Sequence, residues 1–377
     1  MKRRILHVIN DLQSGGAEKL LYQLLSEINY DHFEVEVCTL FSGGDLEGAF
    51  DAKNIAVHGL NLKHRWQWPQ GVLRLMRILK QRNIEMVHTH LYEANVVGRL
   101  AAKGVGISRL VTTLHNPDYS FENHGGKTYM LRKWLDRWTG RWCQAHIAVS
   151  KSVQEDYLNH FRWSNICIIH NGISAEVFSK NILSVEEIKK QFGLAPNDFV
   201  ISHVGRLCFQ KGQEDLIMAF KNFCHRYPDA KLLIAGQGAL LAKLKQLSFP
   251  DLNRRIFFLG KIYNVPELLH ISDLFILPSR YEGFGIAAIE AMYAKAAVIA
   301  TQTGGLEEII EDRNNGLLVP VSHVPRLTDA MILLRNDVAL RKRISEAGHK
   351  TVVERFLIHH AVQKLETFYQ EIFDGAC

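Results

Sequence analysis

Two successive α/β domains, each built on a doubly wound parallel sheet, are what this sequence predicts. Three observations lead there. Short apolar, β-branched runs alternate with longer stretches of helical periodicity. The alternation pauses over residues 171–197 and then begins again. The chain has 377 residues, room for two or three domains at about 100–200 residues each.

In the first half, Arg4–Ile9 reads as a strand, Ala17–Ile28 as a helix with Leu20, Leu21, Leu24, Leu25 and Ile28 on one face, and Phe33–Leu40 as a strand. Val72–Leu79, Asn95–Lys103 and Tyr129–Trp142 have helical spacing; Met86–His90, Leu110–Leu114, Ala145–Val149 and Ile166–Ile169 have strand character. In the second half, strands are expected at Val200–Val204, Lys231–Ala235, Ile256–Leu259, Leu274–Leu277 and Ala297–Ala300. Helices are expected at Glu214–Tyr227, Leu240–Leu247, Val265–Ile271 and Ile286–Ala294, and helical structure prevails from Arg326 onward. Runs of this kind bury strands on both faces under helices, and such sheets take ligands at the carboxyl ends of their strands. Two such domains are expected to face each other across a deep cleft that takes the substrate.

Composition narrows the class. With 47% hydrophobic and 22% charged residues the chain is neither disordered nor of low complexity. Six cysteines, at 38, 143, 167, 208, 224 and 377, include no C-x-x-C pair, which argues for scattered reduced thiols and against a zinc site. The apolar run behind Lys2, Arg3 and Arg4 extends only over Ile5–Ile9 and is interrupted by His7, too short for a signal segment. The apolar stretch Phe284–Ala300 contains Glu290 and Lys295 and is too short to span a bilayer. A cytoplasmic protein is expected. The net charge of +6 is uneven: residues 63–142 hold 14 basic and 5 acidic residues, a local +9. A membrane surface, a phosphate-bearing ligand or a nucleic acid would match that charge; no nucleic-acid-binding motif accompanies it.

Several motifs sit where a strand passes into a helix. Gly15-Gly16, behind Ser14, lets a ligand approach the backbone and a helix start, or serves only as a turn. Gly205-Arg206 and Lys211-Gly212 put two cations five residues apart past a strand end, which suits a diphosphate or a solvated loop. Gly236-Gln-Gly238 has no third glycine and is a weak nucleotide signal. Glu282-Gly283-Phe284-Gly285-Ile286 leads into a helix carrying Glu290; its amides can serve phosphate or sugar oxygens, and a carboxylate among apolar neighbours can accept from sugar hydroxyls. His115 ends a strand and is a ligand to a sugar or phosphate, or a structural histidine. His88-Thr89-His90 has no cysteine or carboxylate at metal spacing. In Lys63–Trp68 and Lys127–Trp142, tryptophans alternate with cations; Trp134, Trp138 and Trp142 lie four residues apart, as on an interfacial helix or one that buries its rings and lets its cations snorkel.

Taken in order, these residues resemble the retaining glycosyltransferases of the GT-B fold, family 4. The likeness covers nearly the whole chain. It is most specific at Glu282–Glu290, which fits the family's E-x7-E pattern, and is supported by Gly205-Arg206, Lys211-Gly212, Gly15-Gly16, His115 and Asn171-Gly172-Ile173. It implies a first domain, 1–172, that binds the acceptor, a second, 173–356, that binds a nucleotide-diphosphate sugar, and a last helix, about 357–377, that returns to the first domain. Arg206 and Lys211 would hold the diphosphate, Glu282 the sugar ring, and Glu290 the ribose. Ile262 would lie near the base, and the amides of Gly285 and Ile286 near sugar or phosphate. Gly15 and Gly16 would approach the donor phosphates, and His115 the transferred sugar. The resemblance further implies substitution with retention, no metal and no cofactor. It implies a UDP-linked hexose or N-acetylhexosamine donor, a lipid-diphosphate-linked glycan acceptor, and O-antigen or capsule synthesis at the inner face of the cytoplasmic membrane, reached through the basic region 63–142. Three other readings compete: a glycoside hydrolase using Glu282 and Glu290, a GT-B nucleotide-sugar epimerase, and a non-catalytic membrane-associated relative.

Overall fold

The computed structural model describes residues 2–13, 15–117, 119–120, 127–179 and 183–375. Ser14 of the glycine loop, part of the basic region (118 and 121–126) and Cys377 lie outside them. The chain divides into two compact units: unit 1, residues 1–172 with 358–377, and unit 2, Ile173–Leu357.

Unit 1 runs β1 (Arg3–Ile9), α1 (Gly16–Glu27), β2 (Phe33–Phe41), α2 (Glu47–Ala52), β3 (Val57–Leu62), α3 (Trp68–Gln81), β4 (Met86–His90), α4 (Tyr92–Val105), β5 (Arg109–Leu114), α5 (Lys127–Gly140), β6 (Ala145–Ala148), α6 (Lys151–Phe161) and β7 (Ile166–Ile168). Its seven strands are all parallel, in the order β3-β2-β1-β4-β5-β6-β7. Strand order reverses between β1 and β4, so the loops leaving these two strands diverge and open a crevice at the carboxyl edge.

Unit 2 contains α7 (Glu176–Ser179), α8 (Val185–Gln191), β8 (Phe199–Val204), α9 (Gln213–Arg226), β9 (Ala230–Ala235), α10 (Leu241–Leu247), β10 (Ile256–Gly260), α11 (Val265–His270), β11 (Leu274–Leu277), α12 (Ile286–Tyr293), β12 (Ala297–Thr301), α13 (Leu306–Ile309), β13 (Leu317–Val319), α14 (Val324–Asn336) and α15 (Val338–Arg355). Its six parallel strands are ordered β10-β9-β8-β11-β12-β13, with the reversal between β8 and β11. The four residues of β11, Leu-Phe-Ile-Leu, are all fully buried, as a central parallel strand covered on both faces requires.

The last helix, α16 (Ile358–Asp374), belongs to unit 1. Ile358, Ala361, Val362, Leu365, Phe368, Tyr369, Ile372 and Phe373 recur at three- and four-residue spacing and are buried, several of them against Ile5, Phe33, Val35 and Met86. The guanidinium groups of Arg3 and Arg109 cap the Phe373 ring at 4.9 and 5.0 Å. Deeper in unit 1, the fully buried Arg99 pairs with Asp136 at 2.5 Å and donates to Thr112 at 3.1 Å, while Tyr119 donates to the other Asp136 oxygen at 2.5 Å. The pair ties α4 to α5.

The pause over 171–197 is not structureless. It holds α7 and α8, the latter started by a capping box in which Ser184 and Glu187 satisfy each other's backbone amides. The aromatic helix also departs from expectation. It ends at Gly140, where a Cβ would lie 2.1 Å from the Trp163 ring, so Trp142 falls beyond it and packs edge-on against Trp138.

Candidate active site

Unit 2 assembles its polar residues past the ends of β8 and β11. After β8 the chain passes Gly205 and Arg206, makes a short 3-10 turn over Phe209–Lys211, and enters α9 through Gly212. Gly212 has φ +61°, and a Cβ there would lie 2.1 Å from the Pro278 carbonyl oxygen; only glycine lets this loop press against the one after β11. That contact brings Lys211 Nζ within 2.6 Å of Glu282 Oε2, and Ser279 donates to the same oxygen at 2.9 Å. Both Lys211 and Glu282 are largely enclosed, so each charge depends on the other. Arg206, exposed, reaches Gln210 at 3.4 Å, and Gln210 donates onward to the Tyr281 carbonyl at 3.2 Å. Beneath them His203 is held neutral by burial, its pKa down to about 4. Its Nδ1 donates to the Ile276 carbonyl (2.9 Å), its Nε2 accepts from Gln213, and Gln213 also donates to the Arg206 carbonyl at 2.7 Å.

Gly285, at φ +108°, caps α12. The first helix amides to be satisfied are those of Ala288 and Ile289, both on the Gly285 oxygen, so those of Ile286 and Ala287 project ahead of the helix. Glu290 is the fifth residue of α12, half-buried between the fully buried Ile289 and Ala291. Ile262, just past β10, is half-buried against the cluster of Val200, Leu233 and Leu268.

In unit 1, Gly15 and Gly16 open α1, and a Cβ on Gly15 would collide with the Glu18 carboxylate at 2.3 Å. His115, past the end of β5, joins a group of imidazoles that the sequence reading did not assemble. His7 of β1 is paired in register with His88 of β4, and His88 and His90 share a face of their strand. His7 Nδ1 lies 3.0 Å from His90 Nε2, and His90 Nδ1 3.3 Å from His115 Nε2. His88 Nδ1 is 2.6 Å from the Tyr369 hydroxyl of α16, and its Nε2 2.7 Å from Thr113 Oγ1; the Tyr369 hydroxyl is also 3.3 Å from His7 Nε2. His7, His90 and His115 line a small cavity with Ala17, Leu20 and Asn171. Burial lowers the pKa of His7 to about 3 and of His115 to about 4, and pushes His88 and His90 well below the usual range, with the neighbouring rings adding to it. Nitrogens of His7, His88 and His90 lie within 4.8 Å of one another, close enough to hold a metal ion, although each is already engaged in the bonds above. His7 and Tyr369 were missed because only strand order and the returning helix bring them there; a lone histidine in the apolar first strand was the available signal.

The aromatic helix carries most of its large apolar side chains on the surface of unit 1. Trp134 and Trp138 are 56% and 41% exposed and stack at 5.7 Å, and Met130 and Leu131 join them on the outside. Trp66 is 71% exposed on the turn before α3. Trp142 and Trp68 turn inward and pack against the core under α3 and α4. Among the described residues no helix is long and apolar enough to cross a membrane, and the five described cysteines are free thiols.

Two family models match the chain in succession: Glycosyltransferase Family 4 over residues 14–177 and Glycosyl transferases group 1 over 184–351. The UDP-Gal:alpha-D-GlcNAc-diphosphoundecaprenol alpha-1,3-galactosyltransferase of Escherichia coli is 28% identical over 310 residues, 80% of this chain and 79% of that one. The N-acetyl-alpha-D-glucosaminyl L-malate synthase of Bacillus anthracis is 27% identical over 306 residues, 79% and 78%. Among solved structures, Anabaena HepE in complex with UDP-glucose superposes with a TM-score of 0.85 over 98% of this chain and 99% of that one, at 23% identity. With its two parallel-stranded Rossmann-like sheets, the chain belongs to the GT-B glycosyltransferases of family 4.

The buried histidines fix the acid response of unit 1. Their folded pKa values lie below that of an unfolded histidine, so the unfolded chain takes up protons first as pH falls. Their stability is fully present above about pH 6.5 and is lost below it, toward the folded values. Acidification from pH 7 to 5 should cost about 2 kcal/mol for each of His7, His88 and His90. Urea melts at the two pH values should show this loss, and His7→Gln should reduce it; equal midpoints at both would contradict it.

Proposed function

We propose that this chain moves a sugar, with retention of its anomeric configuration and without a metal ion, from a UDP-sugar to a lipid-diphosphate-linked saccharide at a membrane surface. The observation that carries the donor half is the Lys211–Glu282 pair at the strand-order reversal of unit 2, next to Arg206 and the open amides of α12. In this reading Arg206 and Lys211 offset the charge that builds on the departing diphosphate. Glu282 holds Lys211 in place and accepts from the sugar ring. Glu290 accepts from the ribose hydroxyls, the amides of Gly285 and Ile286 serve the sugar and phosphates, and Ile262 lies against the base. In unit 1, His115 contacts the transferred sugar, and Gly15 and Gly16 let the backbone approach phosphate, the Gly15 amide itself being held by the Gln13 carbonyl at 2.7 Å. The acceptor hydroxyl attacks on the face from which the diphosphate leaves, and a phosphate oxygen takes its proton, so no protein nucleophile is needed.

The E. coli relative is named for UDP-Gal and a GlcNAc-diphosphoundecaprenol acceptor, and the Anabaena structure holds UDP-glucose. Both support a UDP-linked hexose donor, and the former a prenyl-diphosphate acceptor. The exposed face of Met130, Leu131, Trp134 and Trp138, amid Lys133, Arg137 and Arg141, supports peripheral contact with anionic lipid in surface-polysaccharide synthesis such as O-antigen or capsule.

UDP at about 100 times its dissociation constant should stabilise the protein by roughly 2.7 kcal/mol in a thermal melt without added metal, and GDP should not. The shift should vanish in Arg206→Ala and in Glu290→Ala; no shift with any uridine nucleotide would remove the donor assignment. In flotation with phosphatidylglycerol vesicles at low salt the protein should rise with the lipid, and the Trp134→Ser/Trp138→Ser variant should stay behind. A wild-type protein that does not float would overturn the membrane assignment.

A further inference from the structure

Building on the transferase reading, we propose that Thr113, His88, Tyr369, His7, His90 and His115 form one directed hydrogen-bond relay. It holds all four imidazoles as Nδ1–H tautomers and so makes His115 a hydrogen-bond donor to its ligand. The five links measure 2.7, 2.6, 3.3, 3.0 and 3.3 Å in that order. A neutral imidazole has one N–H and one lone pair, and the Tyr369 hydroxyl has one proton. Burial keeps the rings neutral. Each link needs one donor and one acceptor, and a neutral ring passes its direction on; the Tyr369 hydroxyl does so as well when its own proton is used.

Two directions run through the whole group; a third arrangement, in which Tyr369 accepts from both His88 and His7, leaves the buried Tyr369 proton without an acceptor and is disfavoured by one buried hydrogen bond. In the first, Thr113 donates to His88 Nε2, His88 Nδ1–H to Tyr369, Tyr369 to His7 Nε2, His7 Nδ1–H to His90 Nε2, and His90 Nδ1–H to His115 Nε2. In the second, every proton moves to the other side, all four rings carry Nε2–H, and Thr113 becomes an acceptor. The buried Thr113 hydroxyl has His88 as its hydrogen-bond partner and no second acceptor among the described residues. The second direction therefore wastes its proton, whereas the first uses it. One buried hydrogen bond is worth roughly five- to tenfold in population, which selects the first direction.

The consequence falls on His115. Its Nε2 is taken by His90, and its Nδ1 makes no hydrogen bond to a described residue, so Nδ1–H is what it offers outward. A donor there supports a sugar or phosphate oxygen that accepts, and cannot remove a proton from one. Tyr369, Thr113, His7, His88 and His90 are then positioning residues, and α16 contributes the Tyr369 hydroxyl to the relay.

The same geometry could instead hold a metal on His7, His88 and His90, at the expense of the His7–His90 link. The test is a multiple-bond proton–nitrogen spectrum of the full chain labelled with 15N-histidine, assigned with His7→Gln, His88→Gln, His90→Gln and His115→Gln. In the wild type all four rings should be protonated at Nδ1. Tyr369→Phe and Thr113→Val, neither of which alters a group bonded to His115, should turn His115 into a mixture of tautomers. Transfer kcat should then fall about twofold, as the donating tautomer drops from about nine-tenths to about half of the population, with the donor KM unchanged. Thr113→Ser, which keeps the hydroxyl, should restore both. Mixed tautomers in the wild type, a His115 signal indifferent to both variants, or one equivalent of tightly bound metal in the purified protein would overturn the relay. The spectrum needs no nucleotide, so it is decided separately from whether UDP binds.

Discussion

Both units are governed by the geometry of the parallel sheet. A strand buried on both faces cannot offer its middle to a ligand, and right-handed crossovers send every connection back over the sheet to the same starting edge. What remains is the carboxyl edge, and the only gap in that edge is where strand order reverses. In unit 2 this gap lies between β8 and β11, and the loops carrying Arg206, Lys211, Glu282 and Gly285 leave those strands. In unit 1 it lies between β1 and β4, and Gly15, Gly16, His7 and His90 are found there. The contact between Gly212 and the Pro278 carbonyl follows from the same constraint, because two loops leaving adjacent strands at the reversal must either separate or touch. Here they touch, and the Lys211–Glu282 pair is the product.

That constraint also explains what was legible in the sequence. The central strands are short, mainly apolar and rich in β-branched residues, and they stand out whatever their tertiary setting. The glycine-rich exits were equally legible, since a turn of that kind needs glycine locally. Edge strand β3 was not: Val57-His-Gly-Leu-Asn-Leu is half exposed and lacks the apolar signal of its neighbours. Helix α8 was missed although Ser184 and Glu187 stand at capping-box spacing, because the seven-residue helix behind them offers little periodicity. The Lys211–Glu282 pair joins residues 71 apart, and no local pattern could announce it.

The histidine group shows the limit most clearly. His88 and His90 on one strand face could be read as a pair, but His7 joins them only through the β1–β4 pairing and Tyr369 only through the return of α16. Six polar side chains buried together would be costly if any were unsatisfied. Their mutual bonding removes that cost while leaving a single nitrogen, Nδ1 of His115, directed at anything outside the group. Unit 1 thus joins neutral imidazoles at its reversal, whereas unit 2 places the charges of Arg206, Lys211 and Glu282 at its own.

The central claim is sugar transfer from a uridine nucleotide to a lipid-linked acceptor. The direct measurement is to incubate the purified chain with UDP-galactose, UDP-glucose or UDP-N-acetylglucosamine, each labelled in the sugar, and with a prenyl-diphosphate-linked N-acetylglucosamine in anionic vesicles. With one of these donors the label should move to the lipid fraction with its anomeric configuration retained, and Lys211→Ala should abolish the movement. Label that stays on the nucleotide as an altered sugar, or that appears only as free sugar with every acceptor present, would contradict the account.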